Sequence, residues 1–220
     1  LVKLPDAISF ETAAAMMLQG MTARMLLRAI HDVKAGEAIL VHAAAGGVGL
    51  ILCQWANALG ATVIGTVSTE EKAELSRAHG CHHPVVYTRQ DFVAEVDRIT
   101  GGAKLPVVYD SVGKDTFAKS LDCLRPRGLM VSFGNASGPP DPIAPGVLSQ
   151  KGSLFLTRPT LYHYVAAREE LEQSANDLFE IVASGKVKIE IGQRFVLKDA
   201  AEAHRALEAR RTTGSTIFTV

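Results

Sequence analysis

The chain has 220 residues, 47% hydrophobic and 21% charged, with 23 basic side chains balanced by 23 acidic ones. That length and apolar content bury a sizeable core in one large domain or two small ones, and they exclude a disordered chain. Zero net charge removes the electrostatic footprint of a nucleic-acid or membrane-surface protein, and no apolar run reaches the ~18 residues of a membrane span.

The chain opens on Leu1, and Leu1 to Ile8 has no basic region followed by an apolar stretch, so it reads as the interior of a longer protein. The odd set Cys53, Cys81 and Cys123 argues against a disulfide framework and for a reducing, cytoplasmic compartment. Ser9 to His31 is apolar at helical spacing, with Ser9 and Thr12 as capping residues and Gly20 as an interruption. Ala38 to His42 reads as a buried strand, and the pattern then alternates. Helices are expected at Gly47–Leu59, Glu70–His79, Asp91–Thr100 and Lys114–Leu124, and strands at Thr62–Val67, Val85–Tyr87, Val107–Tyr109 and Leu129–Phe133. Gly134 to Pro145, with four of the nine prolines, reads as a surface loop. A strand at Ser153–Thr157, a helix at Arg168–Ser184, a strand at Glu190–Leu197, a helix at Lys198–Arg211 and a strand at Thr216–Val220 complete the chain. Alternation of this kind predicts an α/β fold, a doubly wound parallel six-stranded sheet of Rossmann type. The last two strands exceed its six positions. The division expected is a dinucleotide-binding domain over 1–187 and a strand–helix–strand unit over 188–220.

Ala43-Ala-Ala-Gly-Gly-Val-Gly49 joins the first strand to a helix. Read as a dinucleotide fingerprint, Ala44, Gly46 and Gly49 fill its three glycine positions, with alanine in the first. Gly46 then lets backbone approach a pyrophosphate, Gly49 lets helix and strand pack closely, and the helix N-terminus offers free N–H groups. A bare strand–helix turn would have the same glycines, but their place at the head of a βαβαβ series favours the ligand. An NAD-selective site has an acidic residue after the second strand, roughly 20 residues beyond the glycines. Here Thr66-Val-Ser-Thr69 has none, and Glu70 and Glu71 lie on a helix start, where they complement its dipole. Lys72 follows within one turn and can meet a 2′-phosphate, with Ser68 as a donor beside it. NADPH is therefore the expected cofactor.

Ala43–Gly49, Val108-Tyr-Asp-Ser-Val-Gly113, Arg127-Gly-Leu-Met-Val-Ser-Phe-Gly-Asn135, Lys151-Gly-Ser-Leu154, Thr157-Arg-Pro159 and Gly214-Ser-Thr-Ile217 together span essentially the whole chain. They resemble the zinc-independent quinone oxidoreductases, the zeta-crystallin-like branch of the medium-chain dehydrogenase/reductase superfamily. The resemblance implies that backbone at Ala45, Gly46, Gly47 and Val48 holds the pyrophosphate. It implies that Ser68, Lys72, Tyr87 and Arg210 surround the 2′-phosphate, although glycine is common in the family where Ser68 stands. It implies that Phe133, Gly134, Asn135 and Thr22 lie by the nicotinamide. It also implies an N-terminal GroES-like domain that packs over the cleft, is absent from this sequence, and takes up the two closing strands. The activity implied is metal-free reduction of a quinone by hydride or single electrons from NADPH, in a homodimer paired through the edge strand 153–157. The quinone pocket would form between the domains, so no catalytic residue is assigned. An enoyl or other alkene reductase of the same superfamily is the alternative, and a non-catalytic NADPH-binding or structural module a third reading.

Other constellations are weaker. His79, Cys81, His82 and His83 cluster without a second ligand group, so no metal site is expected. Cys53 reads as core. Asp110 and Ser111 lack the G-x-S-x-G elbow of a hydrolase. Glu169 through Glu180 reads as a solvated helix face.

Overall fold

A computed structural model describes residues 1–220. In chain order the elements are α1 (Phe10–Arg24), β1 (Ala38–Val41), α2 (Gly47–Ala58), β2 (Thr62–Val67), α3 (Glu70–Ala78), β3 (His83–Val86), α4 (Phe92–Thr100) and β4 (Leu105–Asp110). They continue as α5 (Phe117–Ser120), β5 (Leu124–Ser132), α6 (Pro145–Gln150), β6 (Phe155–Thr157), α7 (Leu161–Tyr164), α8 (Arg168–Ala183), β7 (Ile191–Val196), α9 (Ala200–Glu208) and β8 (Ser215–Thr219).

The main sheet has the order β3-β2-β1-β4-β5-β6 with every pair parallel, as the βα rhythm requires. Successive strand residues feed opposite faces. Ile39, Val41, Val63 and Val107 join one core with Met16, Leu26, Ile51 and Leu178; Leu40, Ile64 and Val108 join another with Phe92, Phe117 and Leu121. Helices therefore cover both faces, and the central strands β1, β2 and β4 are buried almost along their whole length.

Gly20 does not interrupt α1, which runs on into a π-helical turn over Met25–Ile30. The glycine serves packing instead: a Cβ there would fall 2.4 Å from Leu178 Cδ1, so Gly20 lets α8 approach. Tyr109 braces the π turn by donating its hydroxyl to Leu26 O at 3.0 Å, and burial raises its pKa well above the usual phenol value. The helix expected over Lys114–Leu124 contracts to α5 and a 3-10 turn at Leu121–Cys123, because β4 pairs Leu105 with Leu124 and draws it into β5. The short helices α6 and α7 fall where no helix was expected; Pro145, with its missing N–H and fixed φ, starts α6.

β7 and β8 stay outside the main sheet as a parallel pair of their own. They dock on the glycine-rich turn: Gly214 N–H donates to Ala45 O at 3.0 Å, and Ser215 Oγ to Ala15 O at 2.7 Å. At the other end β6 leaves an edge with Phe155 and Leu156 exposed. No helix is long and apolar enough to cross a membrane.

Candidate dinucleotide site

The sheet order reverses between β1 and β4, and the crevice beyond the strand ends there is the ligand position of open α/β sheets. The chain leaves β1 through His42 and turns at Ala43, whose φ of +54° lies in the left-handed region. The turn's strained position is thus Ala43, one residue before the alanine that the fingerprint aligns there. Gly46 N–H closes the turn on Ala43 O at 3.0 Å, and Gly46 caps α2. The glycines differ in kind. A Cβ on Gly49 would lie 2.3 Å from Ala43 O, so its absence is a condition of the fold. A Cβ on Gly46 would meet only Ala43 O at 3.3 Å, a tight contact but a far milder one than at Gly49. The open side of Gly46 at the start of α2 is where a phosphate would approach, and the turn fits one. Gly47 and Val48 follow half-buried in the first turn of α2, and Ala45 is buried beneath them.

Beyond β2, Thr69 caps α3 by accepting the Lys72 N–H at 3.3 Å. Glu71 is held below the usual carboxylate range by its own backbone N–H and by Thr69, as expected for an acid at a helix start. Glu70 is engaged by Arg89. Lys72 instead reaches out of α3, and its Nζ donates to Arg210 O at 2.8 Å. The fold thereby joins two of the cations singled out in the sequence. The Arg210 guanidinium stands 3.8 Å from Asp115 and is 55% exposed, a loose contact that leaves it available to an anion.

A cleft of about 160 Å³ opens next to this pair, with Thr66, Tyr87, Phe92, Val112 and Arg210 among its walls. Tyr87 and Arg210 therefore share one cavity. Ser68 is half-buried at the end of β2, and its carbonyl accepts the Thr88 hydroxyl at 3.1 Å. Phe133, Gly134 and Asn135 follow β5, across β4 from the glycine turn. Phe133 N–H donates to Asp110 O at 2.8 Å, and a Cβ on Gly134 would fall 2.5 Å from Ser111 O, so the ends of β4 and β5 close tightly. Thr22 lies on α1, one turn beyond Gln19, which packs near Gly47, and its hydroxyl is spent on Leu18 O at 2.7 Å.

Sequence reasoning missed the polar group under the cleft. His42 is buried, with Thr66 Oγ1 at 2.8 Å, Ser120 Oγ at 2.9 Å and the Phe92 ring edge-on at 5.0 Å. A polar residue ending an otherwise apolar strand was the available signal. His79, Cys81, His82 and His83 do not converge: His82 Nδ1 accepts the Val63 N–H at 3.0 Å, and His79 Nδ1 lies 2.8 Å from Leu75 O. All three cysteines are free and buried. Burial pushes the Cys123 thiol up to about 12, and a hydrogen bond with Cys81, then burial, raises the Cys53 thiol well above its ordinary value. Neither thiol is a ready nucleophile.

A family model described as zinc-binding dehydrogenase matches residues 47–180. A quinone oxidoreductase of Pseudomonas aeruginosa is 57% identical over 218 residues, covering 99% of this chain and 67% of that protein. The chain belongs to the quinone oxidoreductase branch of the zinc-binding dehydrogenases. This quinone oxidoreductase homologue is also 50% identical to a 2-haloacrylate reductase of a Burkholderia species, over 99% of the chain and 66% of that protein. Among solved structures, the Escherichia coli quinone oxidoreductase complexed with NADPH superposes with a TM-score of 0.98 at 52% identity, over 100% of this chain and 68% of that one. The chain thus spans about two thirds of the length of these relatives.

Proposed function

We propose that this chain is the cofactor-binding part of an NADPH-dependent quinone reductase that works without a metal. The observation that carries the reading is the Lys72–Arg210 pairing beyond β2, a cationic corner where an NAD-selective fold keeps a carboxylate. The 57% identity to a quinone oxidoreductase supports the acceptor class. When bound, NADPH supplies the hydride; the chain orients it and excludes water. Backbone at Ala45, Gly46, Gly47 and Val48 holds the pyrophosphate on the α2 N-terminus. Ser68, Lys72, Tyr87 and Arg210 hold the 2′-phosphate end. Thr22, Phe133, Gly134 and Asn135 face the nicotinamide half, and none of them is a general acid or base.

The metal-free reading is supported by the histidines at 79 and 82, whose Nδ1 atoms are already engaged by backbone. Three buried free cysteines support a cytoplasmic setting. The uncovered edge at β6, with Phe155 61% exposed, supports a homodimer formed by pairing of that strand. Residues 1–187 form the dinucleotide domain and 188–220 belong with a second domain, a division supported by the separate β7–β8 sheet. Reduction of an activated alkene is the second reading, favoured by the 50% identity to a 2-haloacrylate reductase.

Fluorescence titration with NADPH and NADH, followed by turnover with 1,4-benzoquinone and with 2-chloroacrylate, tests both readings. NADPH should bind at least about tenfold more tightly than NADH, a ~1.4 kcal/mol difference, and the quinone should be the faster acceptor. Faster haloacrylate turnover favours the second reading. Failure to bind either dinucleotide overturns both.

A further inference from the structure

Under the cleft runs a buried hydrogen-bonded chain that none of these roles uses. Asp110, buried at the end of β4, accepts the Val112 N–H at 2.8 Å, the Gly113 N–H at 3.0 Å and the Thr116 hydroxyl at 2.8 Å. Ser120 Oγ lies 3.2 Å from Asp110 Oδ2 and 2.9 Å from Thr116 O, two acceptors that compete with His42 Nε2 for its single proton. With that proton spent on either one, Ser120 Oγ has only lone pairs left for His42 Nε2 at 2.9 Å, so Nε2 carries a hydrogen. Burial lowers the His42 pKa against the pull of Asp110; the ring is neutral, and Nδ1 is bare. The Thr66 hydroxyl, 2.8 Å from Nδ1, must then be the donor. Thr66, only 1% exposed, also lines the cleft, and once its proton is committed inward whatever face its oxygen shows the cleft carries lone pairs only.

The cleft takes its apolar lining from Tyr87, Phe92 and Val112, carries Asp91, Asp115 and Lys119 as well, and has Arg210 of the cationic corner in its wall, so it offers a base both apolar and polar contacts. Adenine has one N–H donor group, its exocyclic amine; hypoxanthine has a carbonyl in its place. We propose that His42 is a positioning residue for the cofactor, through which the Asp110–Ser120 pair fixes Thr66 Oγ1 as an acceptor for the adenine amino group. The proposal rests on the dinucleotide reading above. It assigns the chain a preference for an adenine dinucleotide over its hypoxanthine counterpart, set by an oxygen whose orientation is decided two residues away.

Imidazole nitrogen NMR on the native chain reads the tautomer without any cofactor. His42 should be neutral at pH 7.5 with hydrogen on Nε2, and Thr66→Val should shift the Nδ1 signal as its donor disappears. Titration with NADPH and with nicotinamide hypoxanthine dinucleotide phosphate reads the consequence. Thr66→Val should weaken NADPH about tenfold and leave the hypoxanthine analogue within about twofold, and Thr66→Ser should restore the NADPH affinity. Ser120→Ala, which releases Nε2, should bring the affinity ratio of the two dinucleotides towards one. An Nδ1-protonated ring in the native chain overturns the proposal, as does undiminished NADPH binding by a folded Thr66→Val. If the native chain binds neither dinucleotide, the dinucleotide reading fails and the proposal falls with it; the NMR result separates that case from an error in the hydrogen-bond chain.

Discussion

Lys72 Nζ donates to Arg210 O at 2.8 Å, across 138 residues of sequence. The bond ties the first turn of α3 to the segment after α9, where Arg210 takes a φ of +57°. One backbone carbonyl cannot neutralise the ammonium, so Lys72 keeps its positive charge, while the guanidinium of Arg210 stands 3.8 Å from Asp115.

Lys72→Ala should therefore act on the 2′-phosphate alone. NADPH affinity should fall about tenfold, some 1.4 kcal/mol, while NADH changes by less than about threefold. Raising salt should weaken NADPH binding more in the native chain than in the variant, because screening acts on a charge the variant lacks. Equal losses for both dinucleotides would remove Lys72 from the phosphate site.

Gly46 and Gly49 should separate ligand approach from folding. Gly46→Ala meets only Ala43 O at 3.3 Å, so the melting temperature should fall much less than in Gly49→Ala while NADPH binding falls. Gly49→Ala drives a Cβ to 2.3 Å from the same oxygen and should cost about 1–3 kcal/mol, several degrees of melting temperature in a chain of this size. Thermal melts beside NADPH titrations of the two variants check the contrast.

The Gly20–Leu178 contact predicts non-additivity. Gly20→Ala alone should cost about 1–3 kcal/mol by overpacking, since its Cβ would fall 2.4 Å from Leu178 Cδ1. Leu178→Ala alone should cost about 2–5 kcal/mol, because Leu178 is fully buried. The double variant should cost less than the sum, as each change relieves the other. Strict additivity in denaturant melts would rule out the contact as the reason for the glycine.

Acid should destabilise the fold through His42. Its folded pKa lies below the unfolded value of about 6.5, so above that pH both states are neutral and it adds no slope. As pH falls below about 6.5 the unfolded chain takes up a proton that the folded chain refuses. Stability then drops by up to ~1.4 kcal/mol per pH unit from this group until the folded pKa is reached. Urea unfolding at pH 7.5, 6.5 and 5.5 should show a shallower loss in His42→Gln than in the native chain.

Six strands and the glycine turn were legible in the sequence because their signals are local. Ala38–Val41 and Thr62–Val67 announce themselves by β-branched apolar runs, and α1 by Ser9, whose side chain accepts the Thr12 N–H as its cap. Helix propensity misread Gly20 because nothing in its neighbourhood reveals a side chain 158 positions away, as Leu178 is, and it extended α5 into Leu124 because strand pairing with Leu105 outweighs a short helical turn.

The sequence by itself determined a parallel βα sheet, a phosphate-sized turn at Gly46 and the want of a carboxylate after β2, since each depends on residues a few positions apart. Only the tertiary structure decided that the Lys72 ammonium bonds the Arg210 carbonyl and that His42, Ser120 and Asp110 form one line under Thr66. Those contacts depend on which strand ends the right-handed crossovers bring side by side, and hydrogen-bond geometry becomes fixed only once the sheet has closed around it.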